Sequence, residues 1–179
     1  LYQYGIYLTR AIRGDFGTSL RTRRPVGELV FPRLWNSLRL AGAAILFTIL
    51  LSMPLGVIAA INRGRIWDKL ALSIALLGQS IPTFWTGIVA VLLFSVTLGV
   101  LPTSGIGGWQ YYVLPMVTLG WFTSAGTVRL LRSSMLEVLD SEYIKLARIK
   151  GVPNYQVIWK HALRNALVPV VTFIGLMFG

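Results

Sequence analysis

Few residues in this chain could do chemistry, and none of them falls in a catalytic pattern. The carboxylates are Asp15, Glu28, Asp68, Glu137, Asp140 and Glu142, the single histidine is His161, and cysteine is absent. Without cysteine there is no disulfide, no thiol nucleophile and no thiolate metal site. The lone histidine leaves no His pair to hold a metal, and no acid–base pair stands out. A Gly-x-x-x-x-Gly-Lys-Ser/Thr loop is also missing, so the chain does not bind ATP in the P-loop manner. Catalytic residues, metal sites and bound cofactors are therefore all expected to be none. All six acids lie outside the apolar runs or at their ends, whereas proton-coupled and many ion-coupled carriers hold ionisable groups within the membrane. His161, beside Arg164 on a helix, reads as an interfacial packing or hydrogen-bonding residue rather than a pH switch.

The elements that hold these residues are set by composition. Of 179 residues, 55% are hydrophobic and 13% charged, against about 25% charge in a soluble domain. Mean hydropathy is +0.67. The net charge of +11 would suggest nucleic acid in a soluble protein. Here the basic residues fall between apolar runs and read as membrane-flanking charge. The fold class expected is all-α, a polytopic integral membrane protein with about four spans visible.

Residues 1–37 form an amphipathic lead-in rich in arginine (Arg10, Arg13, Arg21, Arg23, Arg24), with a loop at Gly14-Asp15-Phe16-Gly17-Thr18-Ser19. Pro25 is placed to open a helix from Val26 that runs into the first span, Leu38 to Ile61. That span exceeds the ~20 residues needed to cross hydrocarbon. Leu70 to Leu101 carries no charge over 32 residues, too long for one straight span, and Pro82 predicts a bent or broken helix within it. A turn-rich loop, Pro102 to Gly108, follows. The third span is expected from about Tyr112 to Leu131, with Pro115 in its first turn and Arg129 and Arg132 closing it. A polar helical stretch, about 133–165, leads to a fourth span from Ala166. The chain begins at Leu1 and stops within an apolar run at Gly179, so both ends are expected to be truncations of a longer permease domain spanning 38–179. Of the six tryptophans, Trp35, Trp67, Trp109 and Trp159 sit near predicted boundaries as interface anchors, with Trp85 and Trp121 as exceptions.

Loop charge predicts orientation. The 62–69 connection has Arg63, Arg65 and Lys69, the 129–164 region has seven basic residues, and the 101–111 loop has none. The first two are expected in the cytoplasm and Gly105 outside. Parity then places the arginine-rich lead-in outside, against the charge rule.

Two stretches draw functional attention. Glu142, Tyr143, Lys145, Leu146, Ala147 and Arg148 lie on a short helix ending at a Gly151-Val152-Pro153 elbow. Tyr143, Leu146 and Ala147 fall at i, i+3, i+4 and predict one apolar face. Such a helix can present a knob to a cytoplasmic partner or rest on anionic lipid. In the second span, Ser73, Ser80, Thr83 and Gly87 recur at helical spacing around Pro82, with Gln79 beside them. Small and hydroxylated residues there suit either a translocation path or a packing seam between helices.

The Glu142–Pro169 stretch resembles the cytoplasmic signature loop of binding-protein-dependent ABC importer permeases. Gly151, Ala147 and Leu163 take the pattern's Gly, second Ala and Leu, while Lys145, Leu146, His161 and Arg164 depart from it. Ala147-Arg148-x-Lys150-Gly151 followed by His161-Ala-Leu-Arg-Asn-Ala-Leu-x-Pro169 is similar to the variant in dipeptide, oligopeptide and nickel permeases. So are Gly14-Asp15-Phe16-Gly17-Thr18-Ser19, Arg24-Pro25-Val26 and Ser80-Ile81-Pro82-Thr83-Phe84-Trp85.

This resemblance implies the first of two permease subunits in a bacterial cytoplasmic (inner) membrane importer of di- or oligopeptides. Its partners would be a second homologous permease, two cytoplasmic ATPases that hold ATP and Mg, and an extracytoplasmic substrate-binding protein. The elbow and its helix would be the coupling element that docks on an ATPase. Nickel or another small solute is the alternative cargo. An ion-gradient-driven carrier and a lipid-anchoring structural protein are the rival classes.

Overall fold

A computed structural model describes residues 2–177. Among the described residues there are ten helical pieces and no strand apart from one isolated bridge, Thr18 to Pro25. By contact density the chain divides into two units, residues 1–41 and 42–179.

In the first unit, α1 (Tyr2–Ile12) is followed by the expected loop and by the beginning of α2 (Val26–Ile61). Phe16 and Phe31 meet edge to face at 6.1 Å, and Arg39 lies 5.1 Å over the Trp35 ring. α2 is long and apolar enough to cross a membrane by itself, and it ends at Ile61, where the sequence places its stop. Asn62 and Gly64 (φ 76°) then turn the chain.

The second unit is built on α5 (Gln110–Leu139). α5 has 30 residues, about 45 Å at 1.5 Å per residue. It runs eight residues past the Leu131 expected as its end, and Pro115 sits inside the helix rather than in its first turn. Arg129 and Arg132 do not close α5, because each has a partner on α3 (Ile66–Ser80): Gln79 and Asp68 respectively. Beyond them Ser134 and Met135 are buried, so the apolar stripe continues.

Small residues let the other helices approach α5 closely. On α2, Ala44, Thr48, Ser52 and Gly56 are buried at intervals of four. Thr48 Oγ1 lies 2.7 Å from Thr123 Oγ1 and donates to Gly120 O at 3.1 Å. A Cβ on Gly120 would stand 2.7 Å from the Ala44 carbonyl oxygen, so that crossing requires glycine. On α3, Ala71, Ala75 and Gly78 are buried in the same way. Trp121 covers Gly78 and donates Nε1–H to Ile74 O at 2.9 Å. Of the two expected tryptophan exceptions, Trp121 is partly buried against Gly78 of α3 and Trp85 is half exposed.

The break at Pro82 is present and large. α3 and the pair formed by α4 (Thr83–Ala90) with a π-helical turn (Val91–Thr97) meet at 96°. Together they are long and apolar enough to cross a membrane as one broken span or to dip into it as a re-entrant loop. A turn-rich connection, residues 98–109, leads to α5.

After α5 come α6 (Glu142–Ile149), α7 (Asn154–Gln156), a second π-helical turn (Val157–Ala162) and α8 (Leu163–Leu176). Past Pro153, helical structure is continuous from Asn154 into the fourth apolar segment. Val57, Ala60, Leu131, Met135, Ile144, Val157, Ala162 and Val170 form the principal core cluster.

Candidate functional site

The 140–163 region is shaped by local chemistry. α6 ends in a complete Schellman motif: Val152 N–H donates to Ala147 O at 3.1 Å and Gly151 N–H to Arg148 O at 3.0 Å. The motif needs a left-handed residue just past the helix, and Gly151 has φ 78°. Pro153 then cannot continue α6 and instead precedes the first turn of α7, accepting from Gln156 N–H at 2.9 Å. Val152 packs on the core, so the elbow is rooted.

α6 is amphipathic, and most of the apolar face expected at Tyr143, Leu146 and Ala147 is turned outward. Ile144 and Ala147 are buried, while Tyr143 is 48% and Leu146 56% exposed. The reason lies in tertiary packing. Ile144 enters the cluster with Val157 and Ala162, and the Tyr143 ring stays outside, its hydroxyl hydrogen bonded to His161 Nδ1 and the two rings edge to face. Tyr143, Leu146 and Ile149 thus form an outward apolar stripe on a helix fixed from behind. Glu142 and Lys145 pair at 2.7 Å across that exposed surface. Such a pair adds little stability. His161 serves as a hydrogen-bonding partner, as its position suggested.

Sequence reasoning treated Asp68 only as a carboxylate outside the spans, yet it anchors the region. Asp68 is 3% exposed. Its Oδ1 accepts from Arg132 Nε at 2.7 Å, and its Oδ2 accepts from an Arg132 terminal nitrogen at 2.7 Å and from Gly64 N–H at 2.8 Å. This bidentate, charge-assisted geometry is the strong form of an ion pair. It ties the 62–65 turn, the start of α3 and the last third of α5 to one another. Nearby, Arg63 approaches Asp140 at 3.7 Å with both side chains exposed. No local pattern marks residues 64 positions apart as partners, but an acid and an arginine near the ends of adjacent apolar runs is a weak signal of such a pair.

The proposed pathway residues are not brought onto one face. The 96° bend separates Ser73, Gln79 and Ser80 from Thr83 and Gly87. Ser73 and Ser80 are exposed on the side of α3 away from its buried Ala71, Ala75 and Gly78. Ser80 Oγ bonds back to Leu76 O at 2.9 Å, and Gln79 accepts from Arg129 at 3.1 Å. Pro82 is exposed at the break. Gly87 faces α5, where a Cβ would touch Thr118 at 3.8 Å, and lines a cavity of about 390 Å³ with Val91, Leu119 and Tyr111. The helical spacing holds on either side of the proline but does not carry across it.

The family described as "Binding-protein-dependent transport system inner membrane component" matches residues 52–179. The chain belongs to this family. The match takes in the α3–α4 bend, α5 and the whole α6–α8 region, and it places the chain among helical permeases of the inner membrane. The glutathione transport system permease protein GsiC of Salmonella paratyphi A and that of Salmonella typhimurium are each 43% identical over 177 residues, covering 99% of this chain. The protein of the same name from Escherichia coli K12 is 42% identical over 178 residues. The chain spans 58% of the length of each of these relatives. Within the family match, α6 and its Gly151 elbow form the short amphipathic helix that the signature-loop resemblance singles out.

Proposed function

We propose that this chain is a permease subunit of an ATP-driven importer, lining the pathway for peptides together with a second, similar permease. Its α6 docks on a cytoplasmic ATPase, and a soluble extracytoplasmic protein delivers the substrate. The observation that carries this reading is the construction of α6. Eight residues present Tyr143, Leu146 and Ile149 outward while Ile144 and Ala147 root the helix in the core that joins α2, α5 and α8. A helix resting on anionic lipid would turn its basic residues and its apolar side together toward the bilayer. Here the exposed apolar stripe is backed by a rigid cluster, the arrangement needed to pass a push from a partner into the bundle. Rigid-body movement of the helices around a central site is the physical form of alternating access.

A peptide cargo agrees with relatives named for glutathione, itself a tripeptide. Nickel or another small solute remains the alternative within the same branch. ATP and Mg belong to the partner subunits in this account. The test is reconstitution with the partner permease, the ATPases and the delivering protein in proteoliposomes. Uptake of a labelled di- or tripeptide should require ATP and be abolished when the ATPases are omitted. Uptake driven by an ion gradient without ATPase subunits would sink the proposal.

A further inference from the structure

Arg129 and Arg132 stand one turn apart on α5, and the fold uses them differently. α3 and α5 run antiparallel: Asp68 meets Arg132 at one end of α3, and Trp121 covers Gly78 at the other. Arg132 takes a buried carboxylate, which neutralises it. Arg129 instead donates to Gln79 Oε1 at 3.1 Å, and Gln79 lies about 16 Å further along α3 than Asp68. The Arg129 head therefore points toward the Pro82 break. That is away from the Asp68 end, which loop charge assigns to the cytoplasm. An arginine near a membrane boundary ordinarily snorkels toward the nearer water. This one lies along the helix pair in the other direction, and its partner sits inside the uncharged 70–101 run.

The side it lies on is polar. At about 100° per residue, Ser73, Gln79 and Ser80 share one exposed side of α3 with Leu76, while Leu70, Ile74 and Leu77 occupy the opposite one. Ser133, one turn along α5 from Arg129, is exposed as well. A guanidinium turned to hydrocarbon is costly, so this side suits water or cargo and the Leu70–Leu77 side suits lipid. An amide at position 79, rather than an acid, separates a binding contact from a structural tie. A carboxylate there would neutralise Arg129, as Asp68 does Arg132. Gln79 Oε1 occupies only part of a guanidinium with five N–H donors, which fixes its direction and leaves its charge uncompensated. Among the described residues no carboxylate is in ion-pair range of Arg129. The remaining fork matches a carboxylate bidentately, and the Gln79 amide offers further donors beside it. A linear peptide carries such a group at its C-terminus, whereas a bare metal cation would be repelled.

We infer that Arg129, aimed by Gln79, is a carboxylate-binding contact on the translocation path and favours peptide-like anions over free metal cations. This rests on the permease reading above and supplies the charge of its cargo. The test uses the importer assembled in nanodiscs without the delivering protein, with equilibrium dialysis of radiolabelled trialanine and of trialanine amide. The unaltered importer should hold the free acid about tenfold more tightly than the amide, and Arg129→Gln should remove the difference. Gln79→Glu places a carboxylate on Arg129 while keeping the tie between α3 and α5. It should abolish the preference for the acid and cut ATP-driven peptide uptake about tenfold, with assembly and melting temperature retained. A purely structural contact predicts the reverse, a more stable chain with full uptake. Equal binding of acid and amide, binding of neither, or full uptake by Gln79→Glu overturns the inference alone. Loss of assembly with the partner permease in Arg129→Gln makes this side an interface and also overturns it. Absence of ATP-dependent uptake by the unaltered importer overturns the permease reading and this inference together.

Discussion

From Leu70 on, α3 and the α4–π segment come from one uncharged run of sequence, and the fold treats the two helices in opposite ways. α3 buries Asp68, Ala71, Ala75 and Gly78 against α5. No residue of α4 or the π turn is buried, and Phe84, Trp85, Ile88, Leu92 and Val96 stand exposed. Hydropathy alone does not separate the two halves. Side-chain size and one buried charge do: without a hydrophobic drive between helices in lipid, close approach depends on small residues and polar ties. The half with an alanine–glycine ladder and an acid to pair with Arg132 is clamped. The half with bulky side chains turns away by 96° and leaves its surface for lipid or other chains.

This contrast can be broken from the clamped side first. Asp68→Ala strips Arg132 of both its hydrogen-bond acceptors in a largely buried setting, and should destabilise the chain by about 3 kcal/mol or more. Thermal unfolding in detergent, with Arg132→Ala and the double variant to close a mutant cycle, measures the coupling. Gly78→Val should follow at about 1–3 kcal/mol. A Cβ there stands 2.7 Å from the Trp121 carbonyl oxygen, which is backbone and cannot swing aside.

Gly151→Val comes next, with a local cost of about 1–2 kcal/mol from the left-handed backbone, since no neighbour lies within 4 Å of its Cβ position. The expected phenotype is ATP hydrolysis without uptake, in a subunit that still inserts and assembles. Normal uptake by this variant would remove the elbow from the coupling account. Ser80→Trp should scarcely change stability, because Ser80 is exposed and its hydroxyl only bonds back to Leu76. If its face belongs to the pathway, uptake stops while assembly with the partner permease persists; loss of assembly would make it a seam. Smallest of all, Gly87→Ala on the unclamped half should stay within about 0.5 kcal/mol, as the added methyl meets Thr118 at an ordinary 3.8 Å.

How much of this was legible in the sequence depended on the range over which each feature is determined. The end of α2 at Ile61, the break at Pro82 and the left-handed Gly151 follow from residues next to one another, and each is found where the sequence places it. The size of the bend was hidden, because a proline interrupts the hydrogen-bond ladder without specifying how far the axis turns. That hidden angle also undid the single face drawn through Ser73, Ser80, Thr83 and Gly87. The continuation of α5 past Arg132 was hidden because the residues that keep it helical are buried by α2, α6 and α8. On α6 the apolar face at Tyr143 and Leu146 was legible, but the burial of Ile144 was not, because Val157 and Ala162, from beyond the elbow, supply its partners. Asp68 and Arg132 are 64 positions apart, and only the packed bundle brings them together.

The central claim is that α6 is the contact through which ATPase movement enters the bundle. The chain has no cysteine, so a single one at Leu146 or at Gly105 can be addressed without background. In the assembled importer, Leu146→Cys treated with a short bifunctional thiol–amine reagent should cross-link to an ATPase subunit, with a yield that changes on adding ATP. Gly105→Cys should give no such product and should instead react with an impermeant thiol label on intact cells. Labelling of Leu146→Cys from outside, or no ATPase adduct from it in any nucleotide state, would contradict the account.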